Sequence, residues 1–196
     1  SGEIRPGFKN RTGAAMSQPI IVTLAPNGAY KQKPDHPALP LSLEEIVDTA
    51  LAARSNGASL LHLHIRDEQQ QHSLDADNYL RHIEAIEDQV DDDSIIQITS
   101  ETAKRFSPEQ QIACIKAVNA PCVSIALREM ITDPDNIHAA QDLFYWCAEQ
   151  ACRIQFILYS QNDLLRYFEY LQQGIIPAAP HSVLFVLGRY ALNAQS

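Results

Sequence analysis

The stretch Leu60-Leu61-His62-Leu63-His64-Ile65-Arg66-Asp67 alternates aliphatic and basic residues strictly from Leu61 to Arg66. Successive side chains of a β-strand point to opposite faces, so Leu61, Leu63 and Ile65 share one face and His62, His64 and Arg66 the other. An apolar face of this kind packs under helices. Polar groups at the C-terminal end of the opposite face are where barrel enzymes carry their catalytic residues. Two imidazoles at i and i+2 can reach one cation, and neutral imidazole is a favoured zinc ligand. The plain alternative is a pair of hydrogen-bonded core histidines. A zinc site needs at least one further protein ligand and an open position for water or substrate.

Outward from this strand, β-branched runs alternate with amphipathic helical segments. The pattern predicts strands at Ile20–Leu24, Ser59–Ile65, Ile95–Thr99, Cys122–Leu127, Arg153–Tyr159 and Ser182–Leu187. The first helix opens on Ser42 with Glu45 three residues later, a capping box, and stops at Gly57. Further helices are expected over about Asp75–Asp88, from Ser107-Pro108 onward, over Asn136–Gln150 and over Asp163–Gln173. Strand starts recur roughly every 28–39 residues, the length of a βα unit. Six strands fit either a doubly wound sheet or most of a (β/α)₈ barrel of the TIM type. The loop after the first strand, Ala25-Pro26-Asn27-Gly28-Ala29, lacks GxGxxG and opens no helix, and no Walker A pattern occurs. The histidine strand tips the reading to the barrel, here with about six βα units and the last two missing.

Two other strand ends carry chemistry. Thr99, Ser100 and Glu101 offer hydroxyls and a carboxylate suited to holding a substrate carboxylate and handling a proton, or else helix capping. Arg128 and Glu129 follow the fourth strand. Arg128 could bind a substrate carboxylate bidentately or pair with Glu129 or Glu101 to hold loops together. His36, His72, His82, His138 and His181 fall in loops or on helices and read as surface residues, with His36 in reach of the site.

Among 196 residues, 45% are hydrophobic and 20% charged, the balance of an ordinary globular domain. A formal net charge of −9 excludes a nucleic-acid partner, since no basic field exists to displace phosphate counterions. Part of the acidic excess is local, in Glu84, Glu87, Asp88, Asp91, Asp92 and Asp93, and reads as a solvated face. Cys114, Cys122, Cys147 and Cys152 form no CxxC pair and read as reduced core thiols of a cytoplasmic protein. No apolar run reaches the roughly 20 residues needed to span a bilayer. Residues 1–15 read as a disordered leader or remnant, and 16–196 as a single incomplete barrel domain.

With these motifs in hand, the chain resembles the beta-keto acid cleavage enzymes, the group containing 3-keto-5-aminohexanoate cleavage enzyme. The likeness rests chiefly on His62-Leu63-His64-Ile65-Arg66-Asp67. Asn27-Gly28-Ala29, the helix start at Leu39-Pro40 with Ser42, Glu44 and Glu45, Asn56-Gly57-Ala58, Ile96-Gln97-Ile98 and Phe185-Val186-Leu187-Gly188 support it. The resemblance implies a (β/α)₈ barrel binding one divalent metal, usually zinc, with His62 and His64 as ligands. It also implies retro-Claisen acyl transfer between a beta-keto acid and acetyl-CoA, giving acetoacetate and a new CoA thioester. Thr99 matches the family's substrate-binding hydroxyl, with Ser100, Glu101 and Arg128 as the other catalytic candidates and Asn27, Arg66 and Glu129 as substrate-binding ones.

Departures from the family pattern are Tyr30 and Ile157, each in place of a glutamate, and Glu101-Thr102 in place of a glycine pair. These changes point to a different substrate side chain, read by Glu101, Arg128 and Glu129. The family's late Gly-x-Glu segment, which supplies the third zinc ligand, has no counterpart before the chain ends. The expectation is a C-terminally truncated barrel with exposed sheet edges, homo-oligomeric, with weak zinc affinity and impaired catalysis. Alternatives are a metal-dependent barrel aldolase or isomerase on a small oxo acid, and a non-catalytic degenerate barrel.

Overall fold

The computed structural model describes residues 20–90 and 94–186. The leader, Asp91–Asp93 and the end of the expected sixth strand at Leu187 lie outside the described residues. In chain order the elements are β1 (Thr23–Leu24), α1 (Leu43–Ser55), β2 (Leu60–Leu63), β3 (Ile65–Arg66), β4 (His72–Ser73) and α2 (Ala76–Glu87). Then follow β5 (Ile95–Thr99), α3 (Pro108–Val118), β6 (Cys122–Ala126), the short α4 (Leu127–Met130), α5 (Ile137–Glu149), β7 (Arg153–Leu158), α6 (Gln161–Gln172) and β8 (Ser182–Phe185).

Six strands form one sheet in the order β1-β2-β5-β6-β7-β8, every pair parallel. Spatial order therefore follows chain order without reversal. A doubly wound sheet reverses direction at a switch point, and this one does not. One apolar phase of the strands, Leu61, Leu63, Ile96, Ile98, Val123, Ile125, Ile154, Phe156 and Leu158, is buried. It joins Ile46 and Val47 of α1, Tyr79 and Ile86 of α2, Ile115 and Val118 of α3, Leu143 and Phe144 of α5 and Tyr167 of α6 in one core. Each fully buried aliphatic side chain in that layer contributes roughly 1.5–3 kcal/mol. The other phase faces a cavity. The architecture is a partial (β/α) barrel.

Two strands differ from expectation. β1 is only two residues long, with Ile20 and Ile21 exposed, because among the described residues it pairs on one side alone, with β2. The second strand breaks at His64. Beyond it, Ile65 and Arg66 turn away to pair antiparallel with Ser73 and His72. Asp67 Oδ1 drives that turn by accepting from the backbone N–H of Gln69 and Gln71.

The first helix starts as the capping box requires. Ser42 Oγ accepts from Glu45 N at 3.2 Å, and Glu45 Oε2 accepts from Ser42 N at 3.1 Å and Leu41 N at 2.8 Å. Lys33 Nζ holds the other carboxylate oxygen and so ties the long first loop to the helix. Gly57, at φ +92°, lets the chain leave the helix while its N–H still bonds Arg54 O. All four cysteines are buried and unoxidised. No helix among the described residues is long and apolar enough to cross a membrane.

The N–H of Leu41, then Lys33 and the N–H of Ser42, hold the Glu45 carboxyl at about 2, below its ordinary 4.5. A depressed carboxylate stabilises the fold above pH 4.5, and that contribution disappears as pH falls toward 2. Glu45→Ala should cost about 1 kcal/mol at neutral pH. Glu45→Gln should flatten the acid limb of the stability curve between pH 4.5 and 2. Urea melts across that range check both.

Candidate functional site

The open face of the sheet borders a cavity of about 310 Å³. Its lining is the second phase of the strands: Thr23 and Ala25, His62 and His64, Gln97 and Thr99, Ser124 and Ala126, Gln155 and Ile157, and Leu184 and Val186. Gly28 and Ala29 of the first loop, Glu101, Glu129 and Tyr159 border it. The alternation that buries Leu61 and Leu63 thus delivers both histidines to the cavity.

The two rings meet. His62 Nε2 lies 3.1 Å from His64 Nε2, with ring centroids 4.9 Å apart. His62 Nδ1 donates to Gln97 Oε1 at 2.7 Å, from the partner position of His62 on β5. Gln97 is itself fixed by donating Nε2–H to Cys122 Sγ at 3.3 Å. With its proton on Nδ1, His62 presents a lone pair at Nε2, and His64 Nε2–H donates to it. Behind His64, Nδ1 stands 4.0 Å from Glu101 Oε2. Burial pushes the His62 imidazole below its ordinary 6.5, against the opposing pull of Gln97, so the ring is neutral at pH 7.

These residues fit a divalent metal. Two nitrogens that ligate one tetrahedral zinc stand roughly 3.3 Å apart, close to the separation seen. His62 Nδ1 is backed by the Gln97 amide oxygen, as ligating histidines require, while His64 Nδ1 stands 4.0 Å from the Glu101 carboxylate, beyond hydrogen-bond length. Among the described residues no group of three or more His, Cys, Asp or Glu is arranged to hold a metal ion. Within the described residues the pair would supply two of the four ligands of a tetrahedral site.

Other candidates divide. Thr99 lines the cavity; its Oγ1 accepts from Glu101 N at 3.1 Å, leaving the hydroxyl proton for another acceptor. Glu101 and Glu129 border the cavity, with Glu129 Oε2 accepting from Thr102 N at 3.0 Å. Ser100 sits behind the wall, its Oγ donating to Ser124 O. Asn27 is buried and donates to Pro40 O and His64 O. Arg66 is turned from the cavity: its guanidinium donates to the carbonyls of Gly28, Ala29 and Lys31. Both therefore brace the first loop against the histidine strand. Arg128 reaches into another βα unit. Its guanidinium meets the Asp163 carboxylate at 2.8 Å and Ser160 Oγ at 2.9 Å, at the start of α6.

Two expected surface histidines are buried. His82 lies on the inner face of α2. His72 packs on the far side of His64, with centroids 5.2 Å apart, because the β3–β4 hairpin folds back over the strand end. Its Nε2 bonds the Glu101 carbonyl at 2.9 Å and so fixes the backbone of that acidic residue. His36 and His138 are exposed, and His181 is half-buried against the Tyr167 hydroxyl. Sequence reasoning passed over Gln97, Ser124 and Gln155. Each is a lone polar residue inside an aliphatic run, the same signal that marked His62 and His64. Ser124 Oγ is buried, faces the cavity and has no hydrogen-bond partner among the described residues.

The sequence model of one family, described as BKACE, beta-keto acid cleavage enzyme, matches residues 19–196. The chain belongs to that family. It is 38% identical over 71 residues to the 3-oxoadipate:acetyl-CoA acetyltransferase of Cupriavidus necator, covering 36% of this chain and 25% of that one. Against the 3-keto-5-aminohexanoate cleavage enzyme of Fusobacterium nucleatum it is 36% identical over 77 residues, 39% of this chain and 28% of the relative. The matches thus span about a quarter of these relatives' length. Among solved structures, a ternary complex of ObcA with C4-CoA adduct and oxalate superposes with a TM-score of 0.59 at 16% identity. It covers 76% of this chain and 37% of that one, a likeness of fold.

Burial lowers His72 to about 4 and His62 below 6.5. Neutral buried rings stabilise the fold above pH 6.5, and the contribution drains away as pH falls toward about 4. Nitrogen-15 NMR of the imidazoles should show both titrating below 6.5, with His62 protonated at Nδ1. Gln97→Leu should abolish that tautomer preference. A His62 that titrates at or above 6.5 contradicts the geometry.

Proposed function

We propose that this member of the beta-keto acid cleavage enzyme family catalyses zinc-dependent acyl transfer between a beta-keto acid and acetyl-CoA. The observation that carries this reading is the convergence of the two imidazole nitrogens, 3.1 Å apart, inside the cavity of a partial barrel. In the balanced reaction R-CO-CH₂-COO⁻ and acetyl-CoA give R-CO-SCoA and acetoacetate. The C2 methylene loses a proton and bonds the acetyl carbon as CoA thiolate leaves. The thiolate then adds to the original keto carbon, the C2–C3 bond breaks to release R-CO-SCoA, and the C2 carbanion takes back a proton to give acetoacetate.

His62 and His64 would hold the metal, Gln97 setting the His62 ring orientation from behind. A bound divalent cation supplies Lewis-acid stabilisation of the enolate charge on which C–C cleavage depends. Glu101, bordering the cavity beside His64, takes the C2 proton. The Thr99 and Ser124 hydroxyls, both on the cavity wall, donate to the substrate carboxylate. Apolar walls exclude water and strengthen these contacts.

Two imidazoles make half a tetrahedral set, so the 196-residue chain should bind zinc weakly, and His62→Ala combined with His64→Ala should abolish binding. Isothermal titration decides: tight one-to-one binding by the monomer, or binding that survives the double substitution, overturns the two-ligand assignment. With acetyl-CoA and a beta-keto acid, acetoacetate should form, and Glu101→Gln should lower kcat by roughly 10²–10⁴ with little change in KM. Cleavage that proceeds without any CoA thioester would favour an aldolase instead.

A further inference from the structure

The C-terminal end of α5 closes in a Schellman turn whose two contacting positions are both cysteine. Ala151 takes φ +57°, the N–H of Cys152 bonds Cys147 O at 2.8 Å, and the N–H of Ala151 bonds Ala148 O at 3.3 Å. The covalent bonds on either side of the first hydrogen bond hold the two Cα atoms within about 6.7 Å of each other. A disulfide spans roughly 4.4–6.8 Å between Cα atoms. Side chains at these two positions of the motif pack together. Here the two thiols meet, the Cys147 S–H donating to Cys152 Sγ.

The sulfurs differ in access. Cys147 is fully buried, whereas Cys152 lines a pocket of about 120 Å³ bounded by α5, the start of β7 and the loop before β8. Phe144 and Phe156 also line that pocket, which puts it on the helix side of the sheet, away from the histidine cavity. A water occupies about 30 Å³ of liquid, so the pocket has room for a small peroxide and is too small for a bulky disulfide such as oxidised glutathione. The hydrogen bond between the thiols draws Cys152 below its ordinary 9.0, against the effect of burial, and pushes Cys147 above it. Burial pushes Cys114 up to about 12 and Cys122 above 9.0.

We propose that Cys147 and Cys152 form a site of reversible oxidation by hydrogen peroxide, with Cys152 attacking and Cys147 resolving. The Cys152 thiolate attacks one peroxide oxygen, the O–O bond breaks and hydroxide leaves, giving a sulfenic acid. The Cys147 sulfur then attacks the Cys152 sulfur, the S–S bond forms and the S–O bond breaks. Two thiols and one peroxide become one disulfide and two waters: the sulfurs are oxidised, the peroxide is reduced, and the thiol protons leave in the water. The order of attack follows from access, since only the Cys152 sulfur borders the pocket.

Trypsin separates the thiols for the test. Cys147 and Cys152 fall together in peptide 129–153, Cys114 in 106–116 and Cys122 in 117–128. The folded chain is treated with a small molar excess of hydrogen peroxide, quenched with iodoacetamide, digested and weighed by mass spectrometry. Expected is a loss of about 2 Da from peptide 129–153, reversed by dithiothreitol and at least about tenfold faster than oxidation of Cys114 or Cys122. In Cys147→Ser, Cys152 should stop at the sulfenic acid and be captured by dimedone. The unsubstituted chain decides even where that variant fails to fold. A peptide 129–153 that keeps both thiols, a disulfide that forms only in urea, or oxidation spread evenly over the four cysteines overturns the assignment.

Discussion

Everything in this molecule depends on a sheet that has helices on one side only. Sequential parallel strands put every other side chain under the helices and the remainder into a shared hollow, and the two sets obey opposite rules. The helix-side set must be apolar, because it removes hydrocarbon from water and is close-packed. The hollow-side set is free of that demand. His62, Gln97, Ser124 and Gln155 stand there at strand positions flanked by Leu, Ile, Val or Phe. A site that needs polar groups close together on a rigid support obtains both from this division.

The support extends past the strands. The first loop is pulled against the histidine strand by two buried side chains of different reach. Asn27 bridges Pro40 O and His64 O, while Arg66 spreads over the carbonyls of Gly28, Ala29 and Lys31. A planar guanidinium can meet several carbonyls at once, which a lysine ammonium, a point charge, cannot do with the same orientation. On the other side the β3–β4 hairpin brings His72 behind His64 and fixes the carbonyl of Glu101. Arg105 strengthens that fold-back by bonding His72 O at 2.9 Å. The acidic residue nearest the paired imidazoles is therefore positioned through its backbone.

Much of the frame was legible beforehand because it is written in local rules. The Ser42–Glu45 box, the Ser107-Pro108 helix start and the Ile95–Thr99 strand are read from short spacings that tertiary context did not override. What escaped was long-range. Arg66 shares a strand phase with His62 and His64, yet the chain leaves the main sheet at His64, so phase alone sent its guanidinium to the wrong destination. Arg128 sits in the short helix α4 rather than on a strand end, and its partner Asp163 lies 35 positions away on another βα unit. No spacing rule connects the two. His72 looked solvated because a two-residue strand in a hairpin leaves little periodic trace.

Burial of a charge without full compensation is costly, and the clusters around buried Arg66 and half-buried Arg128 show how it is met. Arg66 is surrounded by carbonyl dipoles, while Arg128 has a carboxylate that also caps the chain by accepting from Tyr159 N at 2.8 Å. Both solutions draw the positive charge out of the cavity and into the frame. The hollow is lined by imidazole, amide and hydroxyl groups, with aliphatic side chains among them on β7 and β8 and carboxylates at the border. Among the described residues the cavity lining includes no Lys or Arg to meet an acidic ligand. That is the physical reason why the paired imidazoles, the groups in the hollow best suited to hold a metal cation, are where an acid head would be drawn.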